Sequence, residues 1–117
     1  SGRAAASADR RADAVKLYKE LASDVRTKEG SAAAYYVLED VFASGDMDKA
    51  EKAIFAYSER EPQAYWLAKA FILLGDVYVR KGDNFQARAT YQSVADGYSP
   101  ADDGIVAEAK ERIAKLN

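Results

Sequence analysis

The stretch LGDVYVRKGDNFQARATYQ, Leu74 to Gln92, is echoed half a chain earlier by VLEDVFASGDMDKAEKAIF, Val37 to Phe55. The pairs Gly45-Asp46 and Gly82-Asp83 align the two at an interval of 37 residues. In that register Val37 falls on Leu74, Val41 on Tyr78, Ala50 on Ala87 and Ile54 on Tyr91. Pro62 and Pro100 stand 38 apart. A period of this size marks stacked supersecondary units, each unable to bury its own apolar face without a neighbour.

Each unit reads as two helices around the Gly-Asp turn. Phe71, Leu74, Gly75 and Tyr78 form an i, i+3, i+4, i+7 stripe. Gly82 suits the left-handed conformation that ends a helix. Asp83 suits the cap of the next one, with Gln86 three residues on completing a capping-box pattern. Ala87, Tyr91 and Val94 form the second helix's inner face. Gly75 and Ala87 are small where two helices must approach closely, and Phe71, Tyr78 and Tyr91 fill the space around them. Composition agrees with helix. Alanine makes up about a fifth of the 117 residues and there are 2 prolines. The length suits one domain.

These positions resemble the tetratricopeptide repeat (TPR), whose pattern is Trp-x2-Leu-Gly-x2-Tyr, then Ala-x3-Phe, then Pro. Here it stands as Phe71-x2-Leu74-Gly75-x2-Tyr78, then Ala87-x3-Tyr91, with Pro100 one residue late. The earlier unit is more degenerate: Ala34, Val37, Leu38 and Val41 take the Trp, Leu, Gly and Tyr places, while Ala50, Ile54 and Pro62 keep theirs. Leu38 in the glycine slot predicts a wider hairpin there. The interval exceeds the family's usual length of about 34. The extra residues fall at Gln63-Ala64-Tyr65-Trp66, with Pro62 suited to a first helical position.

The resemblance implies an all-α fold of helical hairpins stacked as a right-handed solenoid over residues 8–117. Residues 8–28, with Ala14, Tyr18, Leu21 and Val25, read as a lone second helix of a truncated repeat. Residues 31–62 form the degenerate repeat, 63–100 the best-matching one, and 101–117 a capping helix. In that cap Ile105, Ala109, Ile113 and Leu116 face the core, and Glu108 with Arg112 and Glu111 with Lys115 form a solvated face. Ser1-Gly2 opens the chain without Met, so residues 1–7 read as a cloning remnant or a disordered lead. The whole looks most like the C-terminal end of a longer bacterial TPR protein, of an envelope-associated kind.

The residues exclude much chemistry. There is no His and no Cys, which removes imidazole bases, thiol nucleophiles, disulfides and the usual zinc ligands. Asp102-Asp103 and Glu59-Arg60-Glu61 are the tight carboxylate clusters, and both sit at predicted helix ends, where acids are favoured by the dipole. Lys28-Glu29-Gly30 and Lys81-Gly82-Asp83 lack the spacing of a phosphate-binding loop. No cofactor and no metal site is expected. A net charge of −2 gives no basic excess for nucleic acid, and no apolar run suits a membrane span.

What remains is a surface. Trp66 is expected to pack on the preceding hairpin. Tyr35, Glu39 and Phe42 share one helical stripe, and Tyr65, Lys69, Ile72 and Asp76 share another. In the TPR family the corresponding face lines a concave, peptide-binding groove. The expectation is therefore a non-catalytic scaffold that takes a protein or peptide partner there. The alternatives are an architectural terminal cap, or a homodimer through an apolar N-terminal helix. Glu39 and Asp76 occupy the places where carboxylate-clamping TPR domains carry Asn, which argues against that subtype. A filled groove, closed by the cap helix or an upstream segment, is the competing expectation.

Overall fold

The computed structural model describes residues 24–99 and 102–116. The expected N-terminal stripe at Tyr18 and Leu21 lies outside the described residues, as does Pro100. Five α-helices and no strand are found among the described residues: α1 Lys28–Ala43, α2 Met47–Glu59, α3 Ala64–Arg80, α4 Asn84–Gly97 and α5 Ile105–Lys115. The protein is all-α over this range. Residues 24–27 form a turn rather than the end of a helix reaching residue 28. Thr27 caps α1, its hydroxyl accepting from the Gly30 N–H at 2.9 Å.

The two Gly-Asp turns are built alike. Gly45 and Gly82 have φ of 92° and 81°, which a side chain would resist. Asp46 then accepts from the Lys49 N–H at 3.0 Å, and Asp83 from the Gln86 N–H at 3.0 Å. Each carboxylate satisfies a helix-terminal N–H that has no partner within its own helix. The Gln86 amide turns back to the Asp83 carboxylate at 2.8 Å, a variant of the capping box.

The first helices of the hairpins lie side by side. α1 packs on α2 and α3, α3 on α2 and α4, and α5 on α4 and α3. The core runs through them as Ile54, Val77, Tyr91, Ile105 and Ala109, each at most 1% exposed. Between α2 and α3, the Tyr78 hydroxyl donates to Glu51 at 2.7 Å. Lys81 joins the same pair of helices, reaching Asp48 at 2.7 Å and Glu51 at 3.2 Å. A crevice of about 270 Å3 opens between α1 and α2, lined by Ala34, Leu38, Ala53 and Tyr57. It lies in the hairpin where a large residue stands in the glycine slot.

Ser31 is wholly buried and ties three segments together. Its hydroxyl donates to the Val25 carbonyl and accepts from the Gln63 N–H at 2.9 Å. Its own carbonyl accepts from the Tyr57 hydroxyl at 2.8 Å. This corrects the reading of Pro62 as a first helical residue. Gln63 is the N-cap of α3, Pro62 lies before it, and the bond from Gln63 to Ser31 holds the chain extended at that point.

Gly75 packs as a small residue should, but against Tyr91 rather than Ala87. A Cβ at residue 75 would stand 2.2 Å from Cε1 of the Tyr91 ring. Gly75→Ala should therefore destabilise by about 1–3 kcal/mol through overpacking, although alanine is the better helix former by ~1 kcal/mol. An unchanged urea midpoint would refute the contact.

Tyrosines predict the alkaline limit of the fold. Burial pushes Tyr57 up to about 12, and burial with the Glu51 carboxylate does the same for Tyr78. Tyr98 is raised to about 12 chiefly by its hydrogen bond to Asp103. A raised folded pKa means the fold favours the neutral phenol. That stability is complete below the unfolded tyrosine value of about 10 and is lost as pH rises through the folded values. Tyrosine ionisation and loss of helix should coincide between those limits when followed by absorbance and circular dichroism.

Candidate functional site

α1 and α3 build the floor of a groove, and α5 supplies one wall. Tyr35, Glu39 and Phe42 recur at i, i+4, i+7 on α1, and Lys69, Ile72 and Asp76 at i, i+3, i+7 on α3. Because α1 lies beside α3, these six residues meet around a pocket of about 280 Å3. Tyr35 and Ile72 form its base and are 7% and 3% exposed. They are core residues with an edge on the groove, whereas Phe42 and Asp76 are half-buried.

Tyr65 does not line this pocket. It stands a turn earlier on α3, 37% exposed, with its ring edge-on to Trp66 at 5.0 Å between centroids. Trp66 in turn packs on Tyr35 and Tyr36 at 5.6 and 5.9 Å, fixing the start of α3 against α1. Lys69 links Tyr65 to the groove. Its ammonium is 5.8 Å from the Tyr65 ring and 5.5 Å from that of Tyr35, within cation–π range of both.

The wall from α5 overturns the expectation that Glu108 and Arg112 face solvent. Both line the pocket. Arg112 donates to Asp76 through Nε at 3.0 Å and through a terminal nitrogen at 3.4 Å. It also pairs with Glu108 at 3.3 Å. The Tyr91 hydroxyl donates to the same Asp76 carboxylate. A signal was present in the sequence. Glu108 and Arg112 each precede a core residue of the stripe, Ala109 and Ile113, which sets them ~100° from the core rather than opposite it. Glu111 and Lys115 do form the outer pair, at 3.3 Å.

The electrostatics follow from this pairing. The hydrogen bond to Asp76 raises the Arg112 guanidinium above its ordinary pKa. The Tyr35 phenol is pushed well above its usual range, first by burial and then by Glu39, Glu108 and Asp76. Three carboxylates therefore crowd one phenol, and Asp76 is already engaged.

Towards the C-terminal ends of α1, α3 and α5 the groove continues into a second pocket of about 290 Å3. It shares Phe42, Asp76 and Arg112 with the first and adds Val79, Arg80, Lys115 and Leu116. Arg80 lies over the Phe42 ring at 5.1 Å. The carboxylates at the other end of α5 are structural: Asp103 accepts from the Tyr98 hydroxyl and, at 3.1 Å, from the Ile105 N–H. Among the described residues no group of three His, Cys, Asp or Glu is placed to hold a metal, and no helix is long and apolar enough to cross a membrane.

Asp76 and Arg112 are expected to act as a coupled pair. Asp76→Asn should cost about 1–2 kcal/mol, since the pair is partly exposed and its strength is reduced by solvent. The double variant with Arg112→Leu should cost less than the sum of the two single changes. Additive losses in a urea double-mutant cycle would mean that Asp76 does not hold α5.

No protein-family model matches the chain, and no similar protein is found among curated sequences or solved structures at a significant level. The TPR resemblance rests on the spaced positions around Gly75 in the sequence.

Proposed function

We propose that this chain is a non-catalytic protein-interaction module, a TPR-like stack of helical hairpins in a right-handed solenoid. It takes a peptide or helix of a partner protein in the groove along α1, α3 and α5. The observation that carries this reading is the continuity of the groove. The two pockets join through Phe42, Asp76 and Arg112, and their floor is apolar while their rims are charged. Such a surface offers an anchor for an apolar side chain and polar groups to orient it.

A second reading has support of its own, namely that the module also terminates a larger array. The outward residues of α5 are Ala107, Lys110, Glu111 and Ala114, all exposed and none a large apolar side chain. A face of that kind suits the end of a stack. The homodimer expected through the N-terminal helix concerns residues outside those described.

Phe42 and Tyr35 separate a binding groove from a filled one. Phe42→Ala should weaken capture of a partner peptide by about 1–2 kcal/mol, with little loss of fold stability, because the half-buried ring packs at the edge of the core, with Arg80 over it, and not within it. Tyr35→Ala should instead cost about 3–5 kcal/mol of stability, as truncation of a buried aromatic does. Titration calorimetry against a peptide library, with thermal melts of both variants, measures the two effects. If Phe42→Ala destabilised the fold and left peptide capture unchanged, the groove would be core.

A further inference from the structure

The groove is polarised along its length, and the polarity specifies a ligand. Resting on the reading of this groove as a peptide-binding face, we propose that it takes a partner segment in which one basic residue stands close to a large aliphatic one. The spacing is about one helical turn or two strand positions, and the residues beyond the aliphatic one are acidic or neutral.

Each element of this pattern answers a feature of the groove. The first pocket holds the carboxylates Glu39, Asp76 and Glu108 against the cations Lys69 and Arg112, leaving one negative charge in excess. Arg112 lies between Asp76 and Glu108, hydrogen-bonded to the first and ion-paired with the second. Glu39 is on the exposed rim, where an incoming guanidinium or ammonium reaches it without breaking that pairing. The second pocket offers Phe42, Val79 and Leu116 as an apolar seat, with Val79 39% exposed. Because the two pockets share three residues, the basic and the aliphatic side chain must be near neighbours in the ligand.

Arg80, which lies over the Phe42 ring, and Lys115, which pairs with Glu111, border the seat. They repel a second basic residue, which turns the groove from a general acceptor of basic segments into one that reads a single cation. The C-termini of α1, α3 and α5 also lie at this end, and their dipoles offset part of that positive field. The cation at the Glu39 end is thus the stronger determinant, and the acid beyond the seat the weaker.

The test uses the full chain and short fluorescein-labelled alanine-glutamine peptides, read by fluorescence anisotropy. One peptide carries Arg and Leu four positions apart, and a second carries Glu in place of Arg. The Arg peptide should bind about tenfold more tightly, and added salt should narrow the gap. Glu39→Lys should abolish or reverse the preference, and Glu39→Gln should give an intermediate result. Glu39→Gln, at an exposed position and without a new charge, predicts an unchanged melt. Equal affinity for the two peptides, or a preference that survives in Glu39→Lys, overturns the proposed polarity while leaving a peptide groove intact. If neither peptide binds, the groove reading falls and the polarity falls with it.

Discussion

The ring of Tyr91 stands where residue 75 has no side chain, and the rest of the second hairpin is arranged around that fact. Absence of a Cβ at Gly75 lets α4 come down on α3, and the ring fills the gap. The same approach carries the Tyr91 hydroxyl to Asp76, one residue further along α3. Asp76 then holds Arg112, which fixes α5 across the groove and brings Glu108 to its rim. A packing contact in the core thereby decides the electrostatics of the surface. Glycine weakens a helix interior by about 1 kcal/mol, a loss offset by a fully buried aromatic with its hydroxyl satisfied.

The first hairpin fills the same positions with different side chains. Leu38 stands where the second hairpin has Gly75, and Ile54 where it has Tyr91. Both are buried, at 5% and 1% exposure. Leu38 and Ile54 together are bulkier than Gly75 and Tyr91 together, and the first hairpin carries the crevice lined by Ala34, Leu38, Ala53 and Tyr57.

Much of this was legible in the sequence. The Gly-Asp turns, the capping aspartates and the stripes on α1 and α3 each follow from local spacing, because spacing fixes which side of a helix a residue occupies. Six of the seven expected groove residues share a pocket for that reason. What spacing cannot fix is which neighbour covers that side. Arg112 reaches Asp76 across 36 residues, so a pair that looks like an ordinary exposed i,i+4 couple becomes a wall of the groove. Pro62 shows the same limit. Helix α3 starts where a bond to Ser31, 32 residues away, allows it to start. Tyr65 shares the stripe of α3 but stands one turn nearer the helix start, where it meets Trp66 instead of the groove.

Ser31 has a consequence for how the chain folds. Repeat arrays with contacts only between neighbours can gain or lose units one at a time. A residue that bonds the turn before α1 and the cap of α3 through its hydroxyl, and the end of α2 through its carbonyl, works against such stepwise behaviour. The bonds span sequence separations of 6, 26 and 32 residues, so they close only when the first hairpin is complete and the second has begun. Opening either hairpin strands a buried hydroxyl or carbonyl in the other, at the cost of an unsatisfied polar group. The two hairpins are thereby coupled into one cooperative unit, and slow amide exchange would be shared across both rather than confined to the better-packed one.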